Sequence, residues 1–190
     1  LPPGATAACL NDFRLAQSDR EFRIDLGGIV SRQEVSLVVM VEFPAGNPAE
    51  QLEVRFRIKD REGVLDAAPV AWVWTFADDA ANDVQPRERG VDHAVAELYA
   101  ARARREALRC NKAGDFERAQ QILQATAERI LGYAGDDPAL NRLARELLEE
   151  LHFYSRPSGE MERKVRVYAS QNIMRSRDQT GKSKRGPRPA

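Results

Sequence analysis

Nine Lys and Arg side chains crowd the end of the sequence: Arg163, Lys164, Arg166, Arg175, Arg177, Lys182, Lys184, Arg185 and Arg188, against a single acid, Asp178. Cations at this density attract polyanions, so the chemistry they offer is electrostatic capture of phosphates on nucleic acid or on another anionic surface. Beyond Arg175 no aromatic residue is interleaved and no base-reading motif occurs. Such an affinity is therefore expected to be weak, salt-sensitive and indifferent to sequence. The segment carries +8 and leaves −8 for Leu1 to Glu162, an asymmetry hidden beneath a formal net charge of zero.

Other residue types invite sharper chemistry and fall short of it. Gly181-Lys182-Ser183 mimics the end of a phosphate loop, but Ser176 stands where the first glycine belongs and no strand is expected ahead of it. Asp78, Asp79, Asn82 and Asp83 offer oxygens to calcium without the glycine and terminal glutamate of a helix-loop-helix calcium site, and read as a solvated turn. His93 and His152 have no companion at metal-ligand spacing. Cys9 and Cys110 are too few for a disulfide framework and lack a CxxC pattern, so they read as small hydrophobes in a reducing compartment. A dyad of Cys110 with either histidine stays open on sequence alone, but no motif marks a nucleophile elbow or an oxyanion loop. Glu149 and Glu150 point apart on a helix and read as a wet face. Trp72, Trp74 and Phe76 share one strand face, a sugar-stacking platform if exposed; buried sheet core is the expectation. A non-enzymatic chain is expected, with no cofactor, no metal and no catalytic residue.

The elements that must position these residues change character along the chain, from period two to period 3.6. Leu52, Val54, Phe56 and Ile58 alternate with Glu53, Arg55, Arg57 and Lys59, as in a strand with one face in water. Val35 to Phe43 is apolar on both faces, so Val38 and Met40 need a cover, which the helices are expected to supply by docking on the sheet. Val70 to Phe76, Arg20 to Leu26 and Ala5 to Leu10 add weaker strands. Turn residues at Pro44–Pro48, Asp60–Gly63 and Asp78–Asp83 punctuate them at the spacing of an antiparallel sandwich. About five strands are few for two closed sheets, so an exposed edge is expected, with self-association through it as a plausible artefact.

After Pro86, Ala, Leu, Arg and Glu take over. Ala94, Val95, Leu98, Ala101 and Leu108 sketch a first helical stripe. Gly114 can close that helix in the left-handed conformation, and Asp115 can cap the next, which carries Phe116, Ala119, Leu123, Ala127 and Ile130. NKAGDFERAQQIL is thus the corner of a helical hairpin. Its GDFERA resembles a tetratricopeptide turn, but no second copy follows. Asp137 caps and Pro138 starts a third helix with Leu140, Leu143, Ala144, Leu147, Leu148 and Leu151 on one face. A fourth, from Ser158 to about Met174, has Met161, Val165 and Tyr168 as its stripe.

The 190 residues suffice for one sizeable core or two small packed units. No run of about 18 apolar residues could span a bilayer. The chain opens Leu-Pro-Pro-Gly without an initiator Met, which suggests an excised or processed chain; a cytoplasmic location is favoured. The expected fold is α+β: an antiparallel β-sandwich over residues 1–85, a bundle of three to four helices over 86–175 packed on the sheet, and a flexible basic tail over 176–190.

One family resemblance rests on the pieces DLGG, EVSLVV, ARARREAL and GDFERA and on their order between Leu1 and Leu131. This stretch resembles the region that follows the von Willebrand factor type A domain in bacterial proteins of that superfamily. The resemblance implies a sandwich followed by helices, attached to an upstream metal-dependent adhesion-type domain. The Asp-x-Ser-x-Ser metal motif of that domain is absent here, so no residue of this chain inherits its ligand binding. The function implied is non-catalytic protein interaction or scaffolding with an unidentified protein partner. Binding of nucleic acid or an anionic surface by the basic end is the alternative.

Overall fold

The computed structural model describes residues 1–65 and 67–185, and the chain has the α+β composition its periodicities predict. It divides into two compact units. One comprises Leu1–Ala8, Arg14–Asp25 and Val39–Arg87, less the undescribed residue 66; the other comprises 9–13, 26–38 and 88–185. The expected boundary at residues 85/86 is therefore crossed by two early segments that belong with the helices.

The helical unit is built on α2 (Arg89–Lys112), α3 (Phe116–Ala134), α4 (Pro138–Glu149), α5 (Leu151–Tyr154) and α6 (Glu160–Met174). Its starts and stops follow local chemistry. Gly114 adopts φ 83°, where L side chains are strained, and the next helix begins with the Asp115 carboxylate accepting from the Arg118 N–H at 3.0 Å. Asp137 accepts from the amides of Ala139 and Leu140, with Pro138 in the first turn. Ala119, Leu123, Ala127 and Ile130 of α3 and Leu140, Ala144 and Leu147 of α4 fill the main core with one side of α2. That side of α2 is alanine: Ala96, Ala100, Ala103 and Ala107 have almost no exposed surface, and their small side chains let neighbouring helices approach closely.

The other side of α2 buries Leu98 and Ala101 in a second cluster with Leu10 and Met174, against which Val38, Val95, Tyr99 and Ile173 pack. This cluster explains why the period-two run from Val35 to Phe43 is not one strand. Only Val39–Glu42 forms β4, while Val38 finds its cover beside α2; Met40 is 44% exposed. The Asn11 side chain substitutes for a neighbouring strand, accepting from Val38 N–H at 2.9 Å and donating to Ser36 C=O at 3.2 Å. Ser176, at φ 56°, accepts from the Ser36 N–H through its hydroxyl at 2.8 Å. Arg102 donates to the carbonyls of Cys9 and Leu10, and Asp12 N–H donates to Met174 C=O. Early and late parts of the chain are stitched together by these bonds.

In the other unit β1 (Thr6–Cys9) pairs with β4, β2 (Arg14–Gln17) with β3 (Phe22–Asp25), and β5 (Gln51–Phe56) with β6 (Val70–Thr75). The β2–β3 and β5–β6 ladders are antiparallel. These are three separate two-stranded ladders among the described residues, where the turn spacing predicts a sandwich of two larger sheets. The strands are four to six residues long, and among the described residues each pairs with a single neighbour. The acidic turn at Asp78 closes into a short helix, α1 (Asp79–Asp83), with an Asp78 oxygen accepting from Ala81 N–H at 2.8 Å. An oxygen suggested for calcium is thus a helix cap.

Candidate functional site

The basic residues separate into two groups with different duties. The three on α6 hold structure. Arg163 donates to the Ser158 carbonyl, and Lys164 pairs with Glu160 at 2.8 Å. Arg166 lies over the Phe153 ring at 4.3 Å and within 3.6 Å of both Glu150 and Glu162. Glu150 is also gripped by Arg104, which donates Nη2–H to Oε1 at 2.7 Å and Nε–H to Oε2 at 3.1 Å, a bidentate pair in a mostly buried place. Arg163 and Arg166 are thus engaged within the helical unit, while the Lys164–Glu160 pair lies on its exposed surface.

Arg175, Arg177, Lys182, Lys184 and Arg185 form the second group, at and beyond the end of α6. The expected flexible tail is, through residue 185, a hydrogen-bonded turn. Asp178 Oδ1 accepts from the amides of Thr180 and Lys182 and from the Thr180 hydroxyl, the last at 2.7 Å. The hydroxyl bond, with the amides adding to it, holds this carboxyl below the usual aspartate range. Gly181 takes φ 88° against the Tyr168 hydroxyl, and Asn172 donates to Gln179 C=O at 3.2 Å. Arg177 bridges to Ser183, Arg185 bridges to Gln33, and Glu34 N–H donates to Lys184 C=O. Lys184 also lies 3.9 Å from Glu97. The structure thus gathers Arg177 and Lys182 on one turn. Gly181-Lys182-Ser183 belongs to this turn and does not open a helix, so it lacks the setting of a phosphate loop. Arg188 lies outside the described residues.

The aromatic face of β6 is a second candidate, and it corrects an expectation. Trp72 is 57% exposed and Trp74 36%, where the sequence pattern predicts a buried core face. The register sets Val54 opposite Trp72 and Leu52 opposite Trp74, so the indoles stand over one ladder face, where Val54 is buried. Two further rings extend them into a row: Phe43 lies 5.3 Å from Trp74, Trp74 lies 6.0 Å from Trp72, and Trp72 lies 5.1 Å from Phe56. Phe76 is half-buried, and its ring packs so closely on Gly46 that a Cβ there would come within 2.5 Å. Sequence reasoning places Phe56 on the alternating face of β5, but nothing local links it or Phe43 to the tryptophans.

Both histidines have structural partners. His93 Nε2 is 2.7 Å from Asp137 Oδ2, while Oδ1 of the same carboxylate caps α4. The histidine bond, followed by the Leu140 amide, lowers the Asp137 pKa. His152 Nδ1 meets the Glu149 carbonyl, and its ring stacks on Phe153 at 3.9 Å. Cys9 is buried and Cys110 packs at the edge of the main core; burial pushes the Cys9 thiol up. Among the described residues no three His, Cys, Asp or Glu side chains are grouped to hold a metal, and no helix is long and apolar enough to cross a membrane. Compared with protein-family models, curated proteins and solved structures, the chain has no significant match.

Proposed function

We propose that this chain is a non-catalytic protein-interaction and scaffold region that accompanies a von Willebrand factor A-type domain, with the aromatic face of β5–β6 as its contact surface. The observation that carries the reading is the row of rings Phe43, Trp74, Trp72 and Phe56, with both tryptophans of the β5–β6 ladder exposed and the two phenylalanines half-buried beside them. Rings of this kind supply large apolar contact area at small conformational cost and are enriched at the centres of protein interfaces. Among the described residues this ladder has two strands, and the edge of such a ladder is a place where another strand can pair. In this reading the ladders are pieces of one sandwich that neighbouring polypeptide completes. Iodide quenching of tryptophan fluorescence tests it, comparing this chain with a longer polypeptide that carries the adjoining A-type domain. Protection of the indoles in the longer chain is expected. Equal quenching in both, or saturable quenching by a soluble oligosaccharide, would overturn the reading in favour of an unused or a sugar-stacking face.

A second reading follows from the cations on the 177–183 turn, which could bind nucleic acid or another polyanion without selecting sequence. A single-stranded oligonucleotide titrated at low and moderate salt measures this directly. Arg177→Glu with Lys182→Glu should remove most of any affinity seen.

A further inference from the structure

Thr180 lies exposed in the 177–183 turn, and two arginines precede it at set distances. Arg177 stands three residues before it and Arg175 five, and none of the other eleven Ser and Thr residues has an arginine at either spacing. That register matters to one class of enzyme. Arginine-directed Ser/Thr kinases seat an acceptor hydroxyl by pairing carboxylates of their peptide groove with guanidinium groups upstream of it. Arg175, Arg177 and Lys182 are exposed, and among the described residues none of them forms a salt bridge, so their charge is open to such a groove.

The charges around the hydroxyl are unequal. Between Arg175 and Arg185 five cations face one acid, Asp178, a net of +4. Lys184 is drawn aside to Glu97 at 3.9 Å, and Lys182 attracts Asp178. Asp178 occupies the second position before the acceptor, where its charge opposes an acidic groove. Its Oδ1, however, is engaged in the turn, accepting from the Thr180 hydroxyl at 2.7 Å and from the Thr180 and Lys182 amides at 2.9 Å. Three bonds thus hang on one carboxylate oxygen, one of them through the proton that phosphorylation removes. A kinase groove takes an extended segment, and loss of this one hub is enough to free the turn from its internal bonds.

We propose that Thr180 is the acceptor site of an arginine-directed Ser/Thr kinase, and that its phosphate opens the 177–183 turn. In the transfer the Thr180 oxygen attacks the γ-phosphorus of magnesium ATP, and the bond from that phosphorus to the β,γ-bridging oxygen breaks. ADP departs, and the hydroxyl proton passes to the kinase's aspartate. The product has no hydroxyl proton to give Asp178 and sets nearly two negative charges beside its carboxylate. Repulsion at that hub releases the amides of Thr180 and Lys182. With them goes the pairing of Arg177 with Ser183, which leads the chain to the bond between Lys184 C=O and Glu34 N–H. Neither the aromatic contact surface nor polyanion capture requires this hydroxyl, so each can fail separately.

Incubating the whole chain with a purified kinase that selects arginine at both spacings, and with ATP labelled on the γ-phosphate, reads the transfer; peptide mass spectrometry locates it. One phosphate on Thr180 is expected. Thr180→Val should take up none and Thr180→Ser should accept it as the parent does, with the helical circular dichroism of all three alike. Arg177→Ala and Arg175→Ala should each lower the kinase's kcat/KM by at least about tenfold. Hydrogen exchange on the phosphorylated chain should show the protection of the Thr180 and Lys182 amides falling at least about tenfold while the amides of α6 keep theirs. A chain that takes up no label, label on Ser183 in place of Thr180, equal label in Thr180→Val, transfer indifferent to both arginines, or a phosphorylated turn as protected as the parent's would each overturn the proposal.

Discussion

Replacing Asn111 by alanine should damage the helical unit far more than its position in a polar-looking corner, NKAGD, suggests. Asn111 is 3% exposed and makes three hydrogen bonds. Its Nδ2 donates to the carbonyls of Tyr154 at 3.3 Å and Arg156 at 2.8 Å, and its Oδ1 accepts from Ser158 N–H at 3.1 Å. One side chain thereby holds the whole link between α5 and α6 against the end of α2. At about 1 kcal/mol net per bond, with an added penalty for the stranded Ser158 amide, alanine should cost about 2–4 kcal/mol. For a unit of roughly 100 residues this lowers the melting temperature on the order of 10–20 °C. Urea denaturation followed by circular dichroism measures the loss, and hydrogen exchange at the Ser158 amide localises it. Asn111→Asp separates bonding from shape, since it keeps the size but turns lone pairs on two carbonyls, and it should be the worse of the two. An aspartate variant as stable as the parent, or an alanine variant that loses less than about 1 kcal/mol with Ser158 still protected, would refute the argument.

Three other outcomes are expected. Asp137 has its pKa lowered by His93 and by the helix amides, so its charge stabilises the fold above the unfolded aspartate range near 4 and loses that effect as pH falls through the folded value. Thermal melts of the parent and Asp137→Asn should therefore differ at about pH 6 and draw together as the pH falls below about 4. Tyr154 is 1% exposed, and burial, reinforced by the Glu150 charge, pushes its phenol up to about 12. Ultraviolet titration should show one phenol ionising well above the ordinary tyrosine value near 10, and its stabilising effect, complete below about pH 10, should be lost as pH rises toward the folded value. Gly181→Ala should cost about 1–2 kcal/mol from its left-handed φ, with more if Tyr168 cannot shift, and should deprotect the Thr180 and Lys182 amides while the helices keep theirs. Residue-level hydrogen exchange would show whether the loss is confined in this way.

The helices are legible because their signals are local. Asp115 and Asp137-Pro138 start α3 and α4, and Leu123, Ala127, Ile130, Leu140, Ala144 and Leu147 repeat at the helical period and are buried. What sequence misses depends on partners distant along the chain. The run from Val35 to Phe43 has the alternation of a strand, but Asn11 captures the backbone at Ser36 and Val38, a competition between side chain and sheet that periodicity does not register. On α6 the apolar residues Met161, Val165 and Tyr168 mark one face, whereas the buried face includes Ser170, and Asn172 is covered by its own bond to the following turn. Composition makes the basic end look like free chain; the Asp178 turn and the positive φ of Gly181 organise it through residue 185. Alternation puts both tryptophans on one strand face correctly and says nothing of their environment, because exposure depends on how many strands assemble above them.

The stitch between Ser36 and Ser176 has a consequence for how the protein is made. Those residues are 140 positions apart, and the bond from Asp12 N–H to Met174 C=O closes a still longer span. At ribosomal speeds of about 5–20 residues per second, the amide of Ser36 waits roughly 7–30 s after its own synthesis for the hydroxyl that accepts from it. Once Ala101 has been translated, Leu10, Leu98 and Ala101 make up an apolar strip whose closing residue, Met174, is still about 70 residues from synthesis. A nascent chain stalled before α6 therefore holds a sticky, half-built layer that invites a chaperone or a wrong neighbour, and release of α6 with the turn behind it is the moment at which the helical unit can close.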